Sequence, residues 1–353
     1  IGRSLFSVKF WSHVVTTFQS PRPVISEAPP LFSSSSEFLN VNNVTDEVSI
    51  RPEMERVYSC LNQLVLGKST QIKLSLTCLL ANGHLLIDDL PGMGKTVLSN
   101  ALARVLGFDY KRVQFTNDLL PADLLGSSIY EKEQSAFRFI QGPVFSQLLL
   151  ADEINRASPK TQSALLEAME ERQVSLDGET RPLPSPFFVI ATQNPQEQIG
   201  TSALPESQLD RFMIRLSMGY PTRSAELEIF AGQSRRRLLE KQQPLLSNEA
   251  FVNYQKQVDL VECSAQVLEY LYELLLFTRQ SNLFVNGVST RGGLAVLKAA
   301  KAWAWLEGET ILLPQHIQSV FAAVVGHRLQ SREGNLSAEL LGERIISEVS
   351  IPR

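Results

Sequence analysis

The chain has 353 residues and a formal net charge of −4, enough length for a domain of typical size with a smaller second one, and its acidic balance argues against a chain-wide nucleic-acid track. No apolar run reaches membrane-spanning length, and His13, His84, His316 and His327 lack the spacing of metal ligands, so no zinc site is expected. Cys60, Cys78 and Cys263 form no C-x-x-C pair and read as free thiols in a reducing compartment.

Residues 1–53 have a different composition from the rest. Ser33 to Ser36 form a serine run, Pro21, Pro23, Pro29 and Pro30 break regular structure, and Arg3, Lys9 and Arg22 precede any acidic residue. A basic, serine-rich, acid-poor start is similar to an organelle transit peptide. The alternative is that this low-complexity stretch is disordered or non-native and that the physiological start is Met54, the first methionine. The sequon Asn43-Val44-Thr45 has no meaning in a cytosolic protein.

From Met54 to Ala81 the pattern predicts two helices with a break at Val65-Leu66-Gly67-Lys68. Leu85 to Leu90 then reads as a strand running into Pro91-Gly92-Met93-Gly94-Lys95-Thr96, and Val97 to Ala103 opens a helix. That order suits a phosphate cradle. Glycines at 92 and 94 let backbone N–H groups approach phosphates, and the helix N-terminus adds partial positive charge. Lys95 can reach the outer phosphates, and the Thr96 hydroxyl can ligate Mg²⁺. The full pattern G-x-x-x-x-G-K-[ST] needs glycine where this chain has Asp89, so either Asp89 adopts an unusual backbone or the loop differs. An ordinary strand–turn–helix connection is the plain alternative.

Pro121 to Phe145 contains a polar tip at Glu131-Lys132-Glu133-Gln134-Ser135. Gln147 to Ala151 is an apolar strand ending in Asp152 and Glu153. Asp152 suits holding Mg²⁺ through its water shell, and Glu153 suits orienting and polarising an attacking water, a role separate from metal binding; a helix N-terminal charge pair is the bland reading. Ser158-Pro159 starts the next helix with a cap and an N1 proline, and Leu165, Leu166 and Met169 continue it. Val174 to Thr180 alternates around Asp177-Gly178, a strong hairpin signal. Phe187 to Thr192 predicts a buried strand ending in Gln193-Asn194-Pro195, whose Asn194 amide can position water or sense a phosphate. In Leu204 to Phe212, Arg211 offers a guanidinium whose fork spreads charge over phosphoryl oxygens. Taken singly, Asn194 reads as a turn residue and Arg211 as a surface ion-pair partner.

Together these segments resemble the MoxR group of AAA+ ATPases, from about Met54 to about Arg328. The carrying runs are Phe115 to Gly126, Gly142 to Phe145, Leu150 to Ala157, Thr161 to Glu171, Ala191 to Pro195 and Leu209 to Phe212. The resemblance implies a three-layer αβα P-loop NTPase core with a parallel sheet over residues 54–221, followed by an all-helical lid over 222–353. It implies Walker A at Gly92, Met93, Gly94, Lys95 and Thr96 with Val97 beside them, Walker B at Asp152 and Glu153, sensor 1 at Asn194, and an arginine finger at Arg211. It further implies ATP with Mg²⁺ held by Thr96 and Asp152, a helix-2 insert and a hairpin ahead of sensor 1. By the same resemblance, a cytoplasmic, hexameric ring would remodel or mature protein clients, sometimes inserting a cofactor, with a separate partner bearing a von Willebrand factor A domain. Two rivals differ in kind: a nucleic-acid motor of the MCM type, which calls for a basic pore hairpin, and a nucleotide-gated scaffold that does not hydrolyse.

The last third is helical by periodicity. Ala265 to Phe277 buries one face, Ser289-Thr290-Arg291-Gly292-Gly293-Leu294 opens a helix to Trp305, and Pro314 starts a last clear helix ending near Arg328. The resemblance gives Arg291 a sensor 2 role, toward its own nucleotide or a neighbour's. Arg235-Arg236-Arg237 reads as a solvated helix face.

Overall fold

The described residues of a computed structural model are 51–353, apart from 134, 195–203, 232–234, 333, 335, 336, 352 and 353. All belong to the second of two units, Ile1–Asp46 and Glu47–Arg353. The low-complexity segment expected over 1–53 lies outside them except for its last three residues. These begin α1 (Arg51–Leu64), so that helix starts ahead of Met54. The Tyr254 hydroxyl donates to Glu53 Oε2 at 2.5 Å, tying the helix start to the C-terminal half.

After α1 the chain breaks at the predicted residues and re-enters helix as α2 (Ser69–Leu80), followed by β1 (Leu85–Asp88), α3 (Lys95–Leu106) and β2 (Tyr110–Gln114). A short α4 (Pro121–Leu125) leads into a hairpin, β3 (Gly126–Glu131) and β4 (Ala136–Gln141). Then come β5 (Leu148–Asp152), α5 (Pro159–Glu171), a second hairpin of β6 (Gln173–Leu176) and β7 (Glu179–Pro182), β8 (Phe188–Gln193), α6 (Glu206–Leu209) and β9 (Ile214–Leu216). Among the described residues a five-stranded sheet runs in the order β2-β5-β8-β1-β9, with its strands parallel.

Alternation explains why these strands read as unbroken apolar runs. Leu85, Ile87, Leu148, Leu150, Phe188 and Ile190 feed a core shared with α1, α2, α3 and the C-terminal helices. Leu86, Leu149, Ala151, Val189 and Ala191 feed the opposite core, under α4 and α5. A parallel sheet covered on both faces needs apolar residues at every position.

The two hairpins touch each other. The Ser128 hydroxyl donates to Asp177 Oδ2 at 2.6 Å, and the Arg181 guanidinium lies 4.0 Å from the Phe139 ring. The turn at Asp177 and Gly178 has positive φ at both residues, 55° and 78°, the geometry that matches strand twist in a tight hairpin.

The remaining elements are helical: α7 (Arg223–Phe230), α8 (Arg235–Lys241), α9 (Asn248–Asp259), α10 (Ala265–Gln280), α11 (Thr290–Leu306), α12 (Pro314–Val325) and α13 (Ala338–Glu348). Side chains of Thr222, Ser247, Ser264, Ser289 and Ser337 cap α7, α9, α10, α11 and α13 by accepting from a backbone N–H three residues on. Helix α13 corrects the expectation that the helix from Pro314 is the last clear one. Its buried stripe is only Leu341, Gly342 and Ile345, between charged neighbours, so periodicity alone carries little signal there.

His84 precedes β1 and is buried. Its Nδ1 accepts from the Val189 N–H at 3.0 Å, so Nε2 donates to the Met169 carbonyl at 3.2 Å. Burial, with Arg172 nearby, pushes its pKa from 6.5 down to about 4. The neutral ring therefore favours the fold fully above pH 6.5. That advantage fades as pH falls toward 4, because the unfolded chain takes up the proton first, a loss of up to about 3 kcal/mol. Denaturant midpoints measured from pH 7 to pH 5 should fall for the parent. They should fall less for His84→Gln, which can accept and donate without titrating.

Candidate nucleotide site and its cation cluster

The turn after β1 has glycines at φ 85° and 90°, Gly92 and Gly94. A Cβ added at either would meet no atom within 4 Å. The backbone conformation calls for glycine, and the space above it is open, as a phosphate cradle requires. Of the two alternatives for Asp89, the second holds: it has no positive φ, and the loop is organised around its carboxylate. Oδ1 accepts from the Leu90 N–H at 2.8 Å, while Oδ2 accepts from the Gly219 N–H at 2.6 Å and the Ser217 hydroxyl at 3.0 Å. Burial alone would raise this carboxyl, but those donors and Met218 hold it below the ordinary carboxylate value.

Buried Lys68 ties the same loop from the other side, donating to the carbonyls of Met218, Gly219 and Tyr220 at 2.5, 2.9 and 2.8 Å. The pinned loop leads to Pro221. Pro221, with Leu64, Val65, Leu66, Gly94 and Val97, lines a cavity of about 230 Å³ beside the turn. Its apolar walls suit a planar base.

Lys95 is buried, and its ammonium donates to the carbonyls of Asp89 at 2.6 Å and Gln193 at 3.2 Å. Burial lowers its pKa, and Asp89, Asp152, Asp88 and Glu153 pull the other way. One hydroxyl organises the opposite wall: Thr192 Oγ1 donates to Asp152 Oδ1 at 2.6 Å and accepts from the Glu153 N–H at 2.9 Å. Glu153 itself is left-handed, at φ 56° and ψ 50°, a conformation costing about 1–2 kcal/mol outside glycine. Gln114 and Arg156 donate to its Oε2 at 2.7 and 2.8 Å. Asn194 lies at the same sheet edge and accepts at its carbonyl from Asn155 Nδ2 at 3.4 Å; the Pro195 after it lies outside the described residues. Thr96, in the first turn of α3, and Asp152 offer hard oxygens suited to Mg²⁺. They are too few for a protein-only site, so phosphate and water would supply the rest.

Thus Gly92, Gly94, Lys95, Thr96, Asp152, Glu153 and Asn194 share the carboxyl edge of the sheet, the usual ligand edge of parallel α/β sheets. Arg211 and Arg291 do not join them. Arg211 precedes β9, and Met213 donates its N–H to the His84 carbonyl ahead of β1 at 2.9 Å. Both guanidiniums meet Glu170, Arg211 Nε on Oε2 and Arg291 Nη1 on Oε1, each at 3.0 Å. Arg291 also lies 3.7 Å from Asp210, whose other oxygen takes Arg328 Nε at 2.6 Å. These carboxylates offset the cost of a cation in the first turn of α11. Arg172, Arg211, Arg291, Lys298 and Arg328 line one cavity of about 360 Å³ with Asn82 and Gly83, at the amino edge of β1.

Sequence reasoning missed Lys68, Arg112, Gln114, Glu170, Thr192 and Arg328. A signal existed for two of them: Arg112 and Gln114 stand two apart on β2, so they share a face of the strand beside Asp152.

A five-stranded parallel sheet in this order, with a glycine turn opening α3 and a helical C-terminal domain, defines the AAA+ class of P-loop ATPase folds. The comparisons agree and go further. Residues 84–214 match the ATPase family associated with various cellular activities (AAA), and residues 276–349 match the AAA lid domain. The uncharacterised protein YeaC of Bacillus subtilis is 43% identical over 307 residues, covering 86% of this chain and 96% of that protein. Chaperone MoxR1 of Mycobacterium tuberculosis is 36% identical over 313 residues, 85% of this chain and 82% of that one. A crystal structure of a candidate ATPase from Cytophaga hutchinsonii superposes with a TM-score of 0.79 at 35% identity, covering 86% of this chain and 96% of that one. The chain belongs to the MoxR family of AAA+ ATPases. Among the described residues no helix is long and apolar enough to cross a membrane.

Proposed function

We propose that this protein hydrolyses ATP as a MoxR-type chaperone ring whose sites are each shared by two subunits. The observation that carries the reading is the separation of the two charge clusters. Lys95, Asp152 and Glu153 follow the strands, whereas Arg211 and Arg291 converge on Glu170 at the opposite edge. The four residues of β1 lie between them, a span of about 10–13 Å, so these cations suit a nucleotide held by the next subunit. On this reading Arg291 acts with Arg211, in trans.

The roles follow from the chemistry. Backbone N–H groups at Gly92 to Lys95 and the Lys95 ammonium grip the phosphates. Thr96 and Asp152 hold Mg²⁺, which when bound neutralises phosphate charge. Glu153 takes the proton from the attacking water, Asn194 orients that water, and Arg211 and Arg291 stabilise charge on the departing phosphoryl group. The hairpins give the machine a place to touch clients: Tyr130 and Phe137 on the first are 53% and 75% exposed and meet edge to face, ring centroids 5.3 Å apart, an apolar pair open to solvent. A cytoplasmic setting, a hexamer and a separate partner with a von Willebrand factor A domain complete the proposal.

Dilution tests the shared site. Specific ATPase activity should collapse over the same concentration range in which the assembly dissociates, followed by mass photometry. Full specific activity from a monomer would refute the reading.

A further inference from the structure

Both oxygens of Asp152 are held by this chain's own groups. Oδ1 takes the Thr192 hydroxyl, and Oδ2 takes Arg112 twice, from Nη2 at 2.6 Å and from Nε at 3.2 Å. We propose that Arg112 occupies the metal's place on Asp152 and must swing away when a divalent cation binds, making it a positioning residue that sets metal affinity. The proposal rests on the assignment of Asp152 to the metal.

The two partners of Asp152 differ in freedom. Thr192 is fully buried within β8 and also holds the Glu153 N–H, so it cannot leave without disturbing the strand end. Arg112 belongs to edge strand β2, and its side chain is 48% exposed against 11% for Asp152. A guanidinium paired with the carboxylate both uses its lone pairs and repels an approaching divalent cation. Long side chains with half their surface in water change rotamer easily, so Arg112 is the group that yields. Its departure reaches further, because Arg112 Nη2 also donates to Gln114 Oε1 at 3.4 Å, and Gln114 in turn holds Glu153. Metal entry is thereby coupled to the grip on the water-activating carboxylate.

The test titrates Mn²⁺ into the full chain, in excess over a non-hydrolysable ATP analogue, and follows free Mn²⁺ by electron paramagnetic resonance. Arg112→Met should lower the half-saturating Mn²⁺ concentration about fivefold, the scale of a partly exposed ion pair, and Arg112→Gln should do the same if the methionine variant does not fold. Arg112→Lys, which keeps the charge, should stay near the parent. An unchanged or weaker affinity in the neutral variants, while Asp152→Asn weakens binding, would overturn the proposal and leave the metal site standing. Equal tightening in Arg112→Lys would also overturn it, since charge would then be irrelevant. If Asp152→Asn leaves Mn²⁺ binding untouched, the assignment of the metal site itself fails.

Discussion

Arg211→Ala should bind ATP as the parent does and hydrolyse it about 10³-fold more slowly, the lower end of what a finger arginine supplies. A guanidinium delivered across an interface meets the phosphoryl oxygens in the transition state and lowers the barrier without strengthening ground-state binding. The substitution is mild for the fold: Arg211 is 28% exposed and its ion-pair partner Glu170 keeps Arg291. Mixing gives the decisive readout. Lys95→Ala should lose tight ATP binding but still present a good Arg211, while Arg211→Ala keeps a good phosphate cradle. In a head-to-tail ring with random mixing, about one quarter of the interfaces combine an intact cradle with an intact finger. Activity should therefore return to a comparable fraction of the parent's, once subunit exchange is verified by mass. No recovery in proven mixed rings would remove the assignment of Arg211 to a neighbouring site.

What the sequence made legible divides along a physical line. Local patterns spoke clearly. Apolar runs became β1, β5 and β8, the Asp177-Gly178 turn became a hairpin, and Ser158 became an N-cap accepting from the Thr161 N–H at 3.3 Å. The glycine turn opening α3 was equally plain, because positive φ leaves a mark on residue choice. Contacts between segments distant in the chain were not legible. The two-residue spacing of Arg112 and Gln114 puts them on one face of their strand, but that this face meets Asp152, forty positions after Arg112, follows only from the pairing of β2 with β5 in register. Nor does Asp89 announce Ser217 and Gly219, brought beside it by the pairing of β1 with β9. The missing glycine was visible, but its replacement by a carboxylate clasp was not. Arg211 and Arg291 could be named from the resemblance. That Glu170 holds both required the end of α5 to lie against the start of α11.

Glu153→Gln should keep ATP bound and slow its hydrolysis by about 10²-fold or more, the loss expected when a positioned base is removed. Glutamine has the same shape, and its amide oxygen can still accept from Gln114 and Arg156, which hold Glu153 Oε2 in this structure. The left-handed turn at this position is set by the Glu153 N–H on Thr192 Oγ1, a backbone contact that the substitution does not touch. The cradle at Gly92 to Thr96 is also unchanged, so affinity for ATP should stay within a small factor, measured with a fluorescent analogue under binding conditions. The difference between parent and variant then isolates the proton-accepting step. Near-normal turnover would mean that another group activates the water and would deprive Glu153 of its role. Slow turnover with ATP retained would instead fill every site in the ring at once. Under the proposed chaperone function that state is the one expected to hold a client longest, so the variant is suited to testing whether Tyr130 and Phe137 contact one.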